Sequence, residues 1–419
     1  MTNRLCCFSF RGAILGEKKD MRNTIGIIGL TLLAAACIRE PLFPGTPRSS
    51  HEPGGGRRKD TTATDTPLSG EHVYLTAVRF PDGYAWDLDT CAVDGEVWID
   101  LYRDGERIRS LPAGVSVHPD MHRYTGGHLY SDWSTDTETV VSRDGAELFR
   151  FEGREALRGF LVREDGVHTL GQDRDGSGFT YRIDGRILYR SETGAVLGGP
   201  DAPGAPGGAL TEYGEDVFYV CRLSSERGNE YHVMRNAERY QSFPTSEWTL
   251  DVLFSGGTVS RVLSKPRSLV LEVDGKETRL PLNGRESCLW SRLAAWGKDV
   301  VVLVCTQGTG VKRFFLQTAG GKTFTPFSGE TVSDILSDGE RMGWTVTDGR
   351  GDLLRIRWSD GGVTEGTGGF LVSGRCALLR GGHLFLALTG RDGAPNRFQE
   401  DGVHTDILFN GYFTSVTVE

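Results

Sequence analysis

The chain has little that announces catalysis or a helical fold. There is no G-x-S-x-G turn to raise a nucleophilic serine, no H-E-x-x-H helix for zinc and no P-loop. The nine histidines are scattered without a near-neighbour ligand pair. Ala-rich and Leu-rich amphipathic runs are missing, which argues against helical bundles. With 47 Lys and Arg against 56 Asp and Glu, the formal net charge is −9. Nucleic acid, which needs a basic face, is therefore not an expected partner. No C-x-x-C pair follows residue 37, so a zinc ribbon or thioredoxin-like site is not expected. Beyond Cys37 there are Cys91, Cys221, Cys288, Cys305 and Cys376, an odd number that leaves at least one thiol unbridged. Cys221 and Cys305 lie in the apolar runs "VFYVCRL" and "VVVLVCT" and read as buried fillers.

Long apolar runs are equally scarce, and the main one is short. Met21-Arg22 is followed by an apolar stretch from Ile25 to Ala36 and then by Cys37. At ~1.5 Å per residue such a helix covers roughly 18 Å, short of the ~30 Å hydrocarbon core. A basic start, a short apolar middle and small residues before a cut make residues 21–36 a secretory signal. Leu33-Ala34-Ala35-Ala36-Cys37 resembles the lipobox of bacterial lipoproteins, with Ala34 where that family most often has Leu. The resemblance implies cleavage before Cys37, acylation there and a lipid anchor as the contact with the membrane. Ile38 in place of Asp implies the outer membrane of the cell envelope, facing the periplasm or the exterior. Residues 1–20 fit neither a signal nor a fold and read as a misplaced start. Residues 37–69, rich in Pro, Gly, Ser and Thr, cannot bury enough apolar surface to offset ordering entropy and read as a disordered tether.

What the rest of the chain has in abundance is glycine, 57 residues in all, and short alternating runs between turn signals. The runs are "HVYLTAV", "HLYSDWS", "VHTLGQD", "VFYVCRL", "TVSRVLS", "VVVLVCT", "RMGWTVT" and "HLFLALT". Each precedes a further strand ending in a hairpin signal: Asp104-Gly105, Asp144-Gly145, Asp184-Gly185, Asn236-Ala237, Asp274-Gly275, Gly320-Gly321, Asp360-Gly361 and Asp401-Gly402. Such pairs supply the positive φ of a two-residue turn, and Asn236-Ala237 is the weakest of them. Four strands per roughly 40 residues is the pattern of a β-propeller. The first unit lacks an opening strand and the C-terminal "YFTSVTVE" lacks a blade, so joining the two closes the ring. Residues 70–419 are thus expected to form an all-β, eight-bladed propeller, with seven blades as the alternative. This region resembles β-propeller lipoproteins of Gram-negative bacteria, many of unassigned function. The resemblance rests on turn chemistry and implies a fold and a location, not an activity.

Two insertions stand out against the short turns. One is the loop "RFPDGYAWDLDTCAVDGE" at 79–96; the other, at 198–209, reads as a connection between blades on the same face. In the first, Tyr84 and Trp86 offer flat apolar surface to a sugar ring or a protein partner. Asp82, Asp87, Asp89 and Asp94 are the right chemistry for a hard cation such as Ca²⁺, though capping aromatics and solvated acids fit the same residues. No catalytic residue and no organic cofactor is assigned from the sequence. Three readings stand: a non-catalytic binding or scaffold protein of the envelope, a carbohydrate-active enzyme, and an envelope-assembly lipoprotein. The last departs from the assembly family's periodic tryptophans, since only Trp248 and Trp290 repeat at blade spacing.

Overall fold

Backbone geometry at the hairpin signals sets the register of the whole chain. In the computed structural model Asp104, Asp144, Asp184, Asn236, Asp274 and Asp401 all adopt φ between 47° and 54°. Asp and Asn tolerate this left-handed region because their short polar side chains bond locally. Here the bond has a fixed destination. The Oδ1 atoms of Asp104, Asp144, Asp184, Asn236 and Asp401 accept the N–H of Val73, Leu129, Val167, Val217 and Leu384, at 2.8–3.0 Å. In these five blades the third strand is thereby latched to the start of the second. In three blades the second carboxylate oxygen meets a histidine ring: His72 at 2.7 Å, His128 at 2.6 Å and His383 at 2.7 Å. Where the partner is Asp216 instead, the turn residue is Asn236, whose amide donates to Asp216 Oδ1 at 2.6 Å. An Asp there would set two carboxylates against each other, which accounts for Asn in place of Asp at this turn.

The structure describes residues 71–419 except 87–96, 114–122, 135–136, 154, 174–175, 198–208, 226–227, 244–247, 266–267, 285, 309–310, 325–329, 349–353, 367 and 392–393. Eight antiparallel sheets of four or five strands make an eight-bladed β-propeller. Blades 2 to 8 span Arg123–Glu152, Glu155–Ser191, Ala195–Phe243, Trp248–Leu280, Ser287–Phe324, Glu330–Gly366 and Gly369–Ile407. In blade 3 the strands are Glu155–Arg163, Gly166–Asp173, Phe179–Ile183 and Arg186–Ser191, from the axis outward. From blade 4 round to blade 2 the inner strands of successive blades adjoin one another, which places them innermost.

Blade 1 joins the two ends of the domain. Its outer strands are Val73–Arg79, Trp98–Arg103 and Glu106–Pro112, and its inner strand is the C-terminal Gly411–Val418. Pairing runs from Val73↔Val418 to Arg79↔Gly411, and His72 and Glu419 exchange two backbone hydrogen bonds at 2.9 and 3.0 Å. Each gap between neighbouring blades holds its own apolar cluster. The seam between blades 8 and 1 is no weaker than the others. It buries Val73, Leu75, Phe385, Phe398, Phe413 and Val418 among others. Cys221 and Cys305 are buried, as expected of fillers; Cys376 is buried as well, and Cys288 is partly exposed.

Candidate functional site

Propellers commonly work through their axis and the loops around it, so the inner strands are the place to build from. Five of them carry one extra residue opposite an unbroken second strand: Thr414 in blade 1, Arg158 in blade 3, Leu250 in blade 5, Leu289 in blade 6 and Ser333 in blade 7. A bulge leaves that residue outside the ladder and sharpens the local twist, re-aiming nearby side chains. Blades 4 and 8 widen the interruption. Their inner strands are split into Ala195–Leu197 with Thr211–Tyr213, and Gly369–Phe370 with Ala377–Arg380. This corrects the reading of 198–209 as an inter-blade connection. Val196 and Leu197 already pair with the second strand of blade 4, so the insertion falls between two pieces of that blade's inner edge, and 198–208 lie outside the described residues.

The loop at 79–96 begins as expected between the second and third strands of blade 1. Its aromatics turn inward. Tyr84 and Trp86 lie nearly parallel to the buried Phe80 ring, with centroids 5.5 and 5.9 Å away, and Trp86 also meets Tyr412 at 5.2 Å. Trp86 Nε1–H donates to Asn410 Oδ1 at 2.9 Å, while the Asn410 amide donates to the carbonyls of Pro81 at 2.5 Å and Tyr84 at 3.0 Å. The loop stem is thus fastened to the closing strand, with Tyr84 and Trp86 only partly exposed. Asp82 is exposed. Asp87, Asp89 and Asp94, together with Cys91 and the lipidation candidate Cys37, lie outside the described residues. Among the described residues no group of three metal-ligating side chains is gathered in one place.

Three carboxylates at or just before the start of inner strands are each held by an arginine of the third strand, always 27 residues on: Glu155 by Arg182, Glu286 by Arg313 and Glu330 by Arg357. The first pair is almost fully buried and bidentate, at 2.7 and 2.6 Å, and the Arg182 guanidinium lies 3.9 Å over the Phe151 ring of blade 2. Gly171 makes room for it, since a Cβ there would run into the Glu155 carboxylate. The hydrogen-bonded Arg313 holds Glu286 below the usual carboxylate range. Each of these carboxylates ties the start of its blade's inner strand to the third strand.

Closer to the axis a few charged side chains sit on or beside the inner-strand bulges. Asp251, one residue past its bulge, accepts the N–H of Val252 and, across to blade 6, of Leu293, both at 2.9 Å. Burial pushes its pKa up to about 7, against the pull of those two donors and of Arg292. Asp334 holds the corresponding place in blade 7, accepting the Ile335 N–H at 2.9 Å and an Arg292 guanidinium N–H. On the other side Arg123 of blade 2 donates to the Phe160 carbonyl at 2.6 Å. Arg375, only 8% exposed, sits on a single 3-10 turn in the interrupted inner strand of blade 8. Burial first, and the like charge of Arg375 second, bring Arg123 down to about 9. Neither Asp251 nor these arginines was singled out from the sequence. The 27-residue Glu…Arg spacing was available there as a signal.

No family model matches the chain, and no curated protein sequence does either. Solved structures with a similar backbone include dihydro-heme d1 dehydrogenase NirN, at 11% identity and TM-score 0.48, covering 82% of this chain and 74% of that one. Kluyveromyces lactis Hsv2p follows at 11% identity and TM-score 0.40, covering 74% and 93%. The β-propeller domain of the Pyrococcus furiosus Trilobed protease has 9% identity and TM-score 0.37, covering 67% and 91%. Likenesses of this size carry no argument about activity. The class, an eight-bladed β-propeller, rests on this chain's own strand pairing.

Proposed function

We propose that the chain is a lipid-anchored propeller of the cell envelope that binds a partner without transforming it, its anchor at Cys37 and its ligand a protein or glycan. The observation that carries the binding part is the state of the carboxylates around the axis. Glu155, Glu212, Glu286, Glu330 and Asp334 are all engaged by arginine, so among the described inner-strand acids only Asp251 has no arginine hydrogen-bonded or ion-paired to it. Glycoside cleavage needs two carboxyl groups roughly 5–9.5 Å apart with divergent pKa values. The outer membrane and an envelope-assembly role remain finer proposals within this reading.

Fractionation of cells carrying Cys37→Ser tests the anchor, and release of the protein from membranes is the expected result. Glycan-array binding together with envelope pull-down tests the ligand. Specific capture of one glycan class or one envelope protein is expected, and turnover of a glycan would overturn the non-catalytic reading. The enzymatic alternative has one point in its favour, the raised Asp251 pKa, and predicts that Asp251→Asn abolishes such turnover.

A further inference from the structure

Among the described Phe, Tyr and Trp residues only two are exposed, Tyr213 at 48% and Tyr240 at 47%, and both stand at one gap between blades. Phe218 of blade 4 and Phe254 of blade 5, both buried, lie stacked there with centroids 3.9 Å apart. Tyr213 meets Phe254 at 5.9 Å and Tyr240 meets Phe218 at 5.4 Å, each nearly perpendicular. Local chain geometry sets both tyrosines in place. Tyr213 ends the Thr211–Tyr213 strand of blade 4 and reaches blade 5, where Gly257 makes room for its hydroxyl, since a Cβ there would lie 2.9 Å from it. Tyr240 is the bulge residue of the fourth strand, skipped where Arg239 pairs with Met234 and Gln241 with Val233. Arg235, opposite Phe218 in the ladder, is exposed and holds its guanidinium 5.8 Å from the Tyr240 centroid. It meets no carboxylate among the described residues. By contrast Arg163, which reaches the same turn after Tyr213, is held by Glu212 at 3.1 Å and the Glu215 carbonyl at 3.0 Å. Half-open aromatic rings suit the apolar face of a pyranose, and a guanidinium resting on a ring is set to grip a carboxylate by two bonds. A neutral sugar or a proline-rich peptide would leave the guanidinium unused, and a cation would be repelled by it. An acidic peptide would use the guanidinium but not the pair of rings.

We propose that Tyr213, Tyr240 and Arg235, at the gap between blades 4 and 5, form a surface that binds a saccharide bearing a carboxylate, a uronic acid unit of a glycan. The inference rests on the non-catalytic binding reading and narrows its ligand to an acidic glycan. The experiment is titration calorimetry of the purified chain at constant ionic strength, with trimers of galacturonate and of mannuronate, their methyl esters, and hexaglutamate as probes. Saturable binding of at least one acid trimer is expected, roughly tenfold or more weakened in its methyl ester, with none for hexaglutamate. Arg235→Gln should weaken the acid to the level of the ester and leave the ester where it was, a pattern that damage to the fold would not give. Tyr213→Ala and Tyr240→Ala should weaken acid and ester alike, while Tyr240→Phe, which keeps the ring, should retain most of the affinity. Leu408→Ala, at an exposed position just beyond blade 8, should bind as the wild type. No saturable binding of either acid trimer, undiminished binding in Arg235→Gln, or hexaglutamate bound as tightly as the saccharide overturns the proposal and leaves the non-catalytic reading standing. Turnover of a bound trimer would overturn that reading and not this site.

Discussion

Replacing Asp251 by Asn should make the protein more stable above neutral pH while changing little in mild acid. The reasoning starts from the shift itself. The Asp251 carboxyl rises from 3.8 to about 7 on folding because burial disfavours its charge more than the Val252 and Leu293 N–H groups and Arg292 favour it. A folded acid with a raised pKa holds its proton longer than the unfolded chain does. Stability therefore falls as pH rises through the window from about 4 to about 7, and levels off above it. At ~1.36 kcal/mol for each tenfold change in proton affinity, the loss is no more than about 4 kcal/mol. Asn resembles the protonated acid: one oxygen to accept, one donor group facing an N–H. Any cost from that mismatch is common to every pH and cancels in the comparison. Urea unfolding of both proteins at intervals from pH 5 to 9 reads the difference directly. The free-energy gap should open by roughly 2–4 kcal/mol in favour of the Asp251→Asn protein between pH 5 and 8. A gap that stays flat across that range would refute the account of the site.

Other perturbations probe the frame around it. Arg182→Leu strands the Glu155 carboxylate in the interior and should cost roughly 3–5 kcal/mol in chemical denaturation, with Glu155→Gln on top recovering part of it. Gly171→Ala pushes a methyl into that same carboxylate and should lower stability by about 1–3 kcal/mol, measured the same way. Asn236→Asp places a carboxylate against Asp216 Oδ1. It should lower Tm at neutral pH and lose most of that effect in acid, once both carboxylates are protonated. Trp86→Ala removes the stacking on Phe80 and the bond to Asn410, so limited proteolysis should cut within 79–96 faster than in the wild type.

The parts of the fold legible in the sequence were those governed by local chemistry. Five Asp-Gly pairs adopt positive φ at both residues, whereas Gly320-Gly321 and Asp360-Gly361 do so only at the second; the eight runs chosen as second strands overlay observed strands such as Val73–Arg79 and Asp299–Gly308. Closure by the C-terminal strand followed from counting, since one strand lacked a blade and one blade lacked a strand. Long-range features were not visible in the same way. The 198–209 insertion looked like a connection because Gly and Pro mark any loop, whereas its true place depends on Val196 finding Cys221 across the sheet. Tyr84 and Trp86 have the composition of a platform, yet Phe80, Asn410 and Tyr412 decide how much of them stays open. Thr76 and Thr414 lie at opposite ends of the domain in sequence and are brought together only by ring closure.

That closure is the central claim, and cutting it tests everything built upon it. A chain ending at Asn410 lacks the inner strand of blade 1, along with Phe413, Val416 and Val418 of the seam with blade 8. Hydrogen exchange should show protection lost in Val73–Arg79 and in His383–Gly390, and a peptide of residues 411–419 added in trans should restore it. Unchanged protection in both strands of the truncated chain would contradict the ring.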